Sequence, residues 1–392
     1  MHSVHCRESE PVQGWLLSMS RCESFWLSWV IHRETRLAEK VARNLASPFE
    51  TSQIALLSDE LRSWEWCDRK TVKTRVPDFM FRRLDAALEA EVVAKHARAG
   101  KMRFMTQDDR QVMRDYYDEL GHAEWERFES GIAGRVSLEV HRRFLARFIG
   151  TGERVLEIGA GPGRFTLELV GLGSRVVVTD FSPVQLELNR TRLAGVALVE
   201  SWQLLDVCDT TAYSDGEFDA VVAYGGPLSY AFEHVEEALT GLFRITRPGG
   251  VVVASVMSLL GAWRHFLAGT VADAETVGED ANDAVLHTGD LRYAGNRHIC
   301  QMFRSREIID LVERCGGELL AISASNWASL DDPEALARLE ADPDRWRRFL
   351  DHEVAACEEP GALDGGTHIL FAATSGSRVK EGTAYVARPT TF

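Results

Sequence analysis

The sequence predicts an α/β fold built on a doubly wound parallel sheet, with a helical N-terminal extension in front of it. Three observations lead there. From Arg154 onward, short apolar runs alternate with helical stretches, the order produced by parallel strands joined by crossover helices. The second of these runs, Arg175–Thr179 (RVVVT), is β-branched after its arginine, as a strand covered on both faces should be. Glycine turns punctuate the pattern, at Gly159–Gly163 after the first strand and at Pro248-Gly249-Gly250 before the fifth.

The elements follow in order. Residues 1–105 carry mixed helical patterning, with tryptophans at 15, 26, 29, 64 and 66. Within them, segment 77–99 reads as a helix, because Leu84, Ala87, Leu88, Val92 and Val93 form an apolar stripe at mostly three- and four-residue steps. A helical lid region spans 106–150. It comprises a helix from Gln107 to Tyr117, capped by Thr106, and another from Ser137 to Ile149, ended by Gly150. The main domain, 151–375, opens with strand Arg154–Ile158 and a helix at 164–172. Strand Arg175–Thr179 follows, closed by Asp180, and then a helix at 183–194. Ala197–Leu205, Phe218–Ala223 and Gly250–Ser255 read as the third, fourth and fifth strands, with a helix at 232–246 between the last two. Residues 271–297 read as an acidic loop. Arg304–Cys315 is a helix closed by Gly316-Gly317, before a strand at 318–323. An acidic helical stretch at 332–357 precedes the last strand, His368–Thr374, and 376–392 is a polar, flexible tail.

Composition narrows the class. The chain has 392 residues, 45% of them hydrophobic and 26% charged, enough for a sizeable core without disulfide or metal staples. Its formal net charge of −15 repels phosphate backbones and anionic bilayers, so no nucleic-acid and no membrane partner is expected. The seven cysteines are scattered, with no C-x-x-C pair, which fits reduced thiols in a cytoplasmic protein. Residues 14–30 are fairly apolar, but Arg21 and Glu23 interrupt them. They fall short of the ~18 apolar residues that span a bilayer and lack the layout of a signal peptide.

The chemistry begins at the glycine turn. Gly159-Ala160-Gly161-Pro162-Gly163 joins a strand to a helix, a place where backbone must approach a ligand closely and helix amides favour negative charge or lone pairs. That much suits any nucleotide-like ligand. A dinucleotide turn is spaced G-x-G-x-x-G, whereas here the sixth position is Arg164 and the third glycine is Gly163. Glu157, two residues before the turn, would sit badly beside a pyrophosphate but could hold the ammonium of an amino-acid moiety, directly or through water. Asp180 ends the second strand, where a carboxylate can accept from both ribose hydroxyls; nicotinamide enzymes place an acid similarly. Asp206-Val207 ends the third strand, an acid beside an apolar residue that suits an adenine.

These pieces together, VLEIGAGPGRF, VVVTDFSPVQLEL, LLDVCD, FDAVVAYGGPLSY and LFRITRPGGVVVAS, resemble the class I S-adenosylmethionine-dependent methyltransferases, in their small-molecule branch, over roughly residues 115–375. The resemblance implies a Rossmann-like seven-stranded sheet with the last strand antiparallel, and S-adenosyl-L-methionine as cofactor. It implies Gly159, Gly161 and Gly163 under the methionine part, Asp180 on the ribose and Asp206 near adenine. Phe181 and Gln185 would flank the adenosine, Tyr224-Gly225 would contact the methionyl group, and Tyr116-Tyr117-Asp118 resembles the aromatic lid of this branch. The sequence departs from the family in two ways. Residues 1–105 have no counterpart in its minimal form, and could be a cap, an arm that makes a homodimer, or a stretch not used in the mature protein. The fourth strand ends in AYGGPLSY rather than N-P-P-Y or D-P-P-Y, the motifs that serve amino groups of nucleobases or glutamine, which counts against a nucleobase or glutamine acceptor.

Methyl transfer from a sulfonium is an in-line displacement with a neutral leaving group, so positioning does most of the work and a base is needed only where the nucleophile must lose a proton. Tyr230, Glu233, His234, His265 and His298 lie where such a base is expected, near the carboxyl ends of the strands. Of these, His298 and Tyr230 are the leading candidates. Trp263 and Trp327 fall where they could wall a substrate pocket, and Arg142, Arg143 and Arg147 read as a solvated helix face. His298 and Cys300 lack companions at metal-ligand spacing, so no metal is expected. Two other readings stay open at this point: a nicotinamide-dependent oxidoreductase, which the glycine spacing and Glu157 disfavour, and a non-catalytic S-adenosylmethionine-binding interaction protein.

Overall fold

A computed structural model describes residues 105–376 apart from 296 and 297. The expected N-terminal extension, with its helix at 77–99, and the tail beyond 376 lie outside the described residues.

Helix α1, Gln107–Leu120, starts at a capping box: the Thr106 hydroxyl accepts from the Asp109 amide at 3.1 Å, and the Asp109 carboxylate accepts from the Thr106 amide at 2.9 Å. These bonds satisfy amides that the first helical turn leaves unpaired. After a single helical turn at Ala123–Glu126, α2 runs from Ile132 to Ala146. It begins five residues before the expected Ser137, because Val136 and Val140 already supply its buried face.

The sheet region runs β1 (Arg154–Ile158), α3 (Arg164–Gly171), β2 (Arg175–Asp180), α4 (Pro183–Arg192), β3 (Val199–Leu204), β4 (Phe218–Ala223), α5 (Val235–Ile245) and β5 (Thr246–Met257). Helices α6 (Leu259–His265), α7 (Leu267–Val277) and α8 (Glu279–Thr288) follow, then α9 (Ser305–Arg314), β6 (Gly317–Ala324), α10 (Pro333–Glu340), α11 (Pro343–Cys357) and β7 (His368–Ser375). The strands assemble in the order β3-β2-β1-β4-β5-β7-β6. Pairings β2–β3, β1–β2, β1–β4 and β4–β5 are parallel, while β7 runs antiparallel to both β5 and β6. This is the seven-stranded sheet with an antiparallel last strand that the family resemblance implied.

Alternation along the strands divides the core between two faces. On one face Leu156, Ile158 and Val221 pack with Leu239 and Leu242 of α5 and Ile308 and Leu311 of α9. On the other, Val155, Val176 and Val222 pack with Phe144 and Leu145 of α2 and Phe165 and Leu169 of α3. Among the described residues, both faces of the central strands are therefore covered by apolar side chains.

Three expectations need correction. The Pro248-Gly249-Gly250 turn expected before the fifth strand lies inside β5, where the register against β4 shifts between Thr246 and Val251. Residues 271–297 are largely helical, in α7 and α8, rather than a loop. Acidic composition hid the few positions that are buried, Ala274, Ala284 and Val285. The stretch 332–357 is two helices, because Asp342 caps α11 and Pro343 takes its first position, where a missing N–H costs nothing.

Candidate active site

The turn between β1 and α3 is shaped by positive backbone angles at Gly159 (φ 67°), Gly161 (φ 52°) and Gly163 (φ 102°), a region disfavoured for side-chain-bearing residues. A Cβ on Gly159 would stand 2.6 Å from the Pro227 ring, so the fourth-strand loop presses on the turn from one side. A Cβ on Gly161 would meet nothing nearer than Glu124 at 3.9 Å, and one on Gly225 nothing nearer than Arg127 at 4.0 Å. These two glycines face a cavity of about 110 Å³ at the carboxyl ends of β1, β2 and β4.

The cavity gathers nearly every residue expected at a cofactor. Tyr117, Gly159, Gly161, Asp180, Phe181, Gln185, Asp206, Val207, Tyr224, Gly225 and Tyr230 line it. Gly163 does not; it caps α3 and lies against Asn189 and Leu193. Glu157 does not either. Its carboxylate is buried behind the turn and accepts from the Thr166 hydroxyl at 2.6 Å. Burial, reinforced by the neighbouring Asp180 charge and opposed by the Thr166 bond, pushes Glu157 up to about 8.

Asp180 stands at the centre. Its two carboxylate oxygens accept from the amides of Gly161 and Ser182, each at 2.8 Å. Burial pushes it up to about 6 against these bonds, and each oxygen keeps a further lone pair for a ligand hydroxyl. Gln185 donates to the carbonyls of Tyr117 (2.7 Å) and Gly121 (3.1 Å), while its own side-chain oxygen is buried without a partner. Asp206 accepts from the Cys208 amide at 2.9 Å and pairs with Arg110 of α1. Helix α1 thus lies over the cavity, held by Arg110 on Asp206, by Asp118 on the Ser182 hydroxyl and by the Gln185 bond to Tyr117. Sequence patterning placed a helix here but could not show Arg110 reaching Asp206, which is ninety-six residues away.

A second, larger cavity of about 540 Å³ adjoins the first and shares Tyr117, Glu124, Arg127, Phe128 and Gly225 with it. His298 and His265 line it, as does Trp263. Tyr230 bridges the two spaces: its hydroxyl meets that of Tyr117 on one side and Nε2 of His298 at 2.9 Å on the other. Burial, with Arg127 nearby, pushes His298 down to about 4, so its ring is neutral at neutral pH. Burial holds the Tyr117 and Tyr230 hydroxyls protonated, far above the ordinary phenol range.

The other candidates fall elsewhere. Glu233 and His234 pair with each other at 3.6 Å and line neither cavity. Trp327 packs against Gly365 and Arg264 outside both cavities. Arg142 and Arg143 engage Glu139, Arg143 reaches Asp351 and Arg147 reaches Glu358, the solvated ionic face expected of them. Two further histidines of the larger cavity were missed by sequence reasoning, His141 on α2 and His368 at the start of β7. His141 stands beside Arg142-Arg143 and His368 opens an apolar run, and nothing local marks either as cavity-facing. Among the described residues no cluster of histidine, cysteine, aspartate or glutamate is arranged to hold a metal.

Residues 155–250, which include the turn, Glu157, Asp180 and Asp206, match the model of a family described as a methyltransferase domain. Over that stretch the chain is similar to a methyltransferase domain. Curated proteins similar to this chain include some named demethylmenaquinone methyltransferase. The one from Clavibacter sepedonicus is 38% identical over 105 residues, 26% of this chain and 40% of the relative. That from Beutenbergia cavernae is 35% identical over 112 residues, 27% of this chain and 42% of the relative. An uncharacterized protein of Mycobacterium tuberculosis is 34% identical over 104 residues, 26% of this chain and 37% of the relative. The chain thus spans about two fifths of the length of these relatives.

Proposed function

We propose that this chain binds S-adenosyl-L-methionine in the smaller cavity and transfers its methyl group to O, N or C of a small molecule held in the larger one. The observation that carries this reading is the joining of the two cavities at Gly225 and Tyr117, behind a glycine turn whose acids stand at successive strand ends. The residues fit the cofactor on features of the chain itself. Gly161 and Gly225 leave open space where a side chain would intrude, Asp180 keeps lone pairs for two hydroxyls, and the buried Gln185 oxygen lacks a partner that a bound ligand can provide.

When bound, the cofactor supplies an electrophilic methyl on a sulfonium. The chain does the rest by binding and orientation. Gly159 and Gly161 let the backbone pass close beneath the methionine part. Asp180 takes the ribose hydroxyls as charge-assisted bonds, Asp206 and Val207 take the adenine, and Phe181 and Gln185 flank the adenosine. The dry wall of Tyr117, Tyr224 and Tyr230 excludes water from the transfer path. Glu157 acts from behind the turn, through Thr166 and the backbone. Where the acceptor must lose a proton, His298 takes it: with Nε2–H donated to the Tyr230 oxygen, Nδ1 of the neutral ring carries the accepting lone pair.

The acceptor's identity is not carried over from the relatives, because the family match ends at residue 250, before the residues from Met257 to Met302 that wall the larger cavity. Titration calorimetry tests the cofactor. S-adenosylmethionine and its demethylated product are expected to bind in the micromolar range, about −8 kcal/mol, and NAD(H) to give no heat. The reverse pattern overturns the reading. A screen of metabolites with radiolabelled methyl donor then separates an enzyme from a mere binder.

A further inference from the structure

The larger cavity has a chemistry of its own. Its walls are mostly apolar, with Met257, Leu259, Leu286 and Met302 among them, and two of its lining residues, Trp263 and Phe266, are also exposed to solvent at 42% and 58%. Of its charged lining residues, Glu124 and Arg127 pair at 3.0 Å, and Asp273 adds a further carboxylate. Within these walls stands His368. Its Nδ1 meets the Thr367 hydroxyl at 3.2 Å, while Nε2 is buried with no hydrogen-bond partner. A buried ring nitrogen without a partner is costly, and such atoms in native proteins call for an explanation. Desolvation keeps the ring uncharged. Nε2 is therefore either a lone-pair acceptor or an N–H donor, according to the tautomer. A ligand hydroxyl satisfies both cases, since it donates and accepts. A carboxylate satisfies only one, and would also have to enter apolar walls without a free counter-charge.

We propose that the larger cavity takes an uncharged amphiphile, with a hydroxyl hydrogen-bonded to Nε2 of His368 and an extended apolar body leading out past Trp263 and Phe266. That this amphiphile is the methyl acceptor rests on the function proposed above; its binding does not. The hydroxyl on His368 is an anchor and fixes how the ligand lies, whichever atom receives the methyl group. His368 is in that sense a specificity-determining residue.

Calorimetry on the full chain with para-hexylphenol, hexylbenzene and para-hexylbenzoate tests this, alongside a separate titration with S-adenosylmethionine. The phenol is expected to bind roughly tenfold more tightly than hexylbenzene, the increment of one good hydrogen bond, and the benzoate more weakly than the phenol. His368→Phe should erase the phenol's advantage while leaving hexylbenzene affinity and S-adenosylmethionine affinity unchanged. Phe266→Asp, at an exposed position that the fold does not depend on, should weaken phenol and hexylbenzene alike, and it carries the test if His368→Phe does not fold. Benzoate binding as tightly as phenol, a phenol advantage that survives in a folded His368→Phe chain, or a phenol affinity indifferent to Phe266→Asp overturns the proposal. Loss of S-adenosylmethionine binding in the wild-type chain with the phenol pattern intact would instead sink the cofactor reading and leave this site standing.

Discussion

Asp180 combines two tasks, and its substitution should separate them. Its oxygens hold the amides of Gly161 and Ser182 and are proposed to hold the ribose as well. Losing charge-assisted bonds worth about 1.5–3 kcal/mol should weaken S-adenosylmethionine roughly ten- to a hundredfold in Asp180→Ala, read by calorimetry, with the fold retained. Unchanged affinity would move the ribose elsewhere. Glu157 makes a prediction about stability. Its ordinary value of 4.5 is raised by burial to about 8 in the folded chain. Between those two values the unfolded chain has given up a proton that the folded chain keeps, so stability is fully present below about pH 4.5 and falls as pH rises toward 8. Glu157→Gln cannot lose that proton. A melting series from pH 5 to pH 8 should show wild type declining relative to Glu157→Gln, and parallel curves would refute the buried-acid account. His298 has the opposite requirement. A base must be neutral, and this ring protonates only as pH falls through about 4. Turnover should therefore show no acid limb from His298 above about pH 5, and His298→Ala should slow transfer to any acceptor that loses a proton; full turnover in that variant would remove it as the base.

At the scale of elements, α1 determines access. It is held over the smaller cavity by contacts from Arg110, Tyr117 and Asp118, and a cavity of about 110 Å³ is below the ~300 Å³ usual for small-molecule sites. The capping box at Thr106 sets how firmly the helix itself is formed. Thr106→Ala should cost it about 1 kcal/mol, read as faster hydrogen exchange over 107–120 with β1 and β4 still protected. Equal protection in α1 would show that docking, not capping, sustains the helix.

Among the described residues the seven-stranded sheet dominates. Its central strands are buried on both faces, so the ligand site is confined to their carboxyl ends, and binding there should stabilise the entire fold by linkage. S-adenosylmethionine at a hundred times its dissociation constant should add about 2.7 kcal/mol, a rise of several degrees in Tm, with Asp180→Ala blunting it; no rise in wild type would contradict binding to the folded state. Much of this architecture was legible in the residues. The strands Arg154–Ile158 and Phe218–Ala223 fall where their apolar runs put them, and Gly159, Gly161, Asp180 and Asp206 meet in one cavity, because strand, turn and strand-end acid are local patterns of spacing. What the sequence alone determined is thus the parallel sheet, the glycine turn and the acids in register with successive strands. Only the tertiary structure decided that Glu157 turns away behind the turn, that Arg110 reaches Asp206, that residues 267–288 are helical, and that His141, His298 and His368 share one cavity. Those outcomes depend on which surfaces meet across long sequence separations, where burial and pairing override the weak local preferences that a single chain displays.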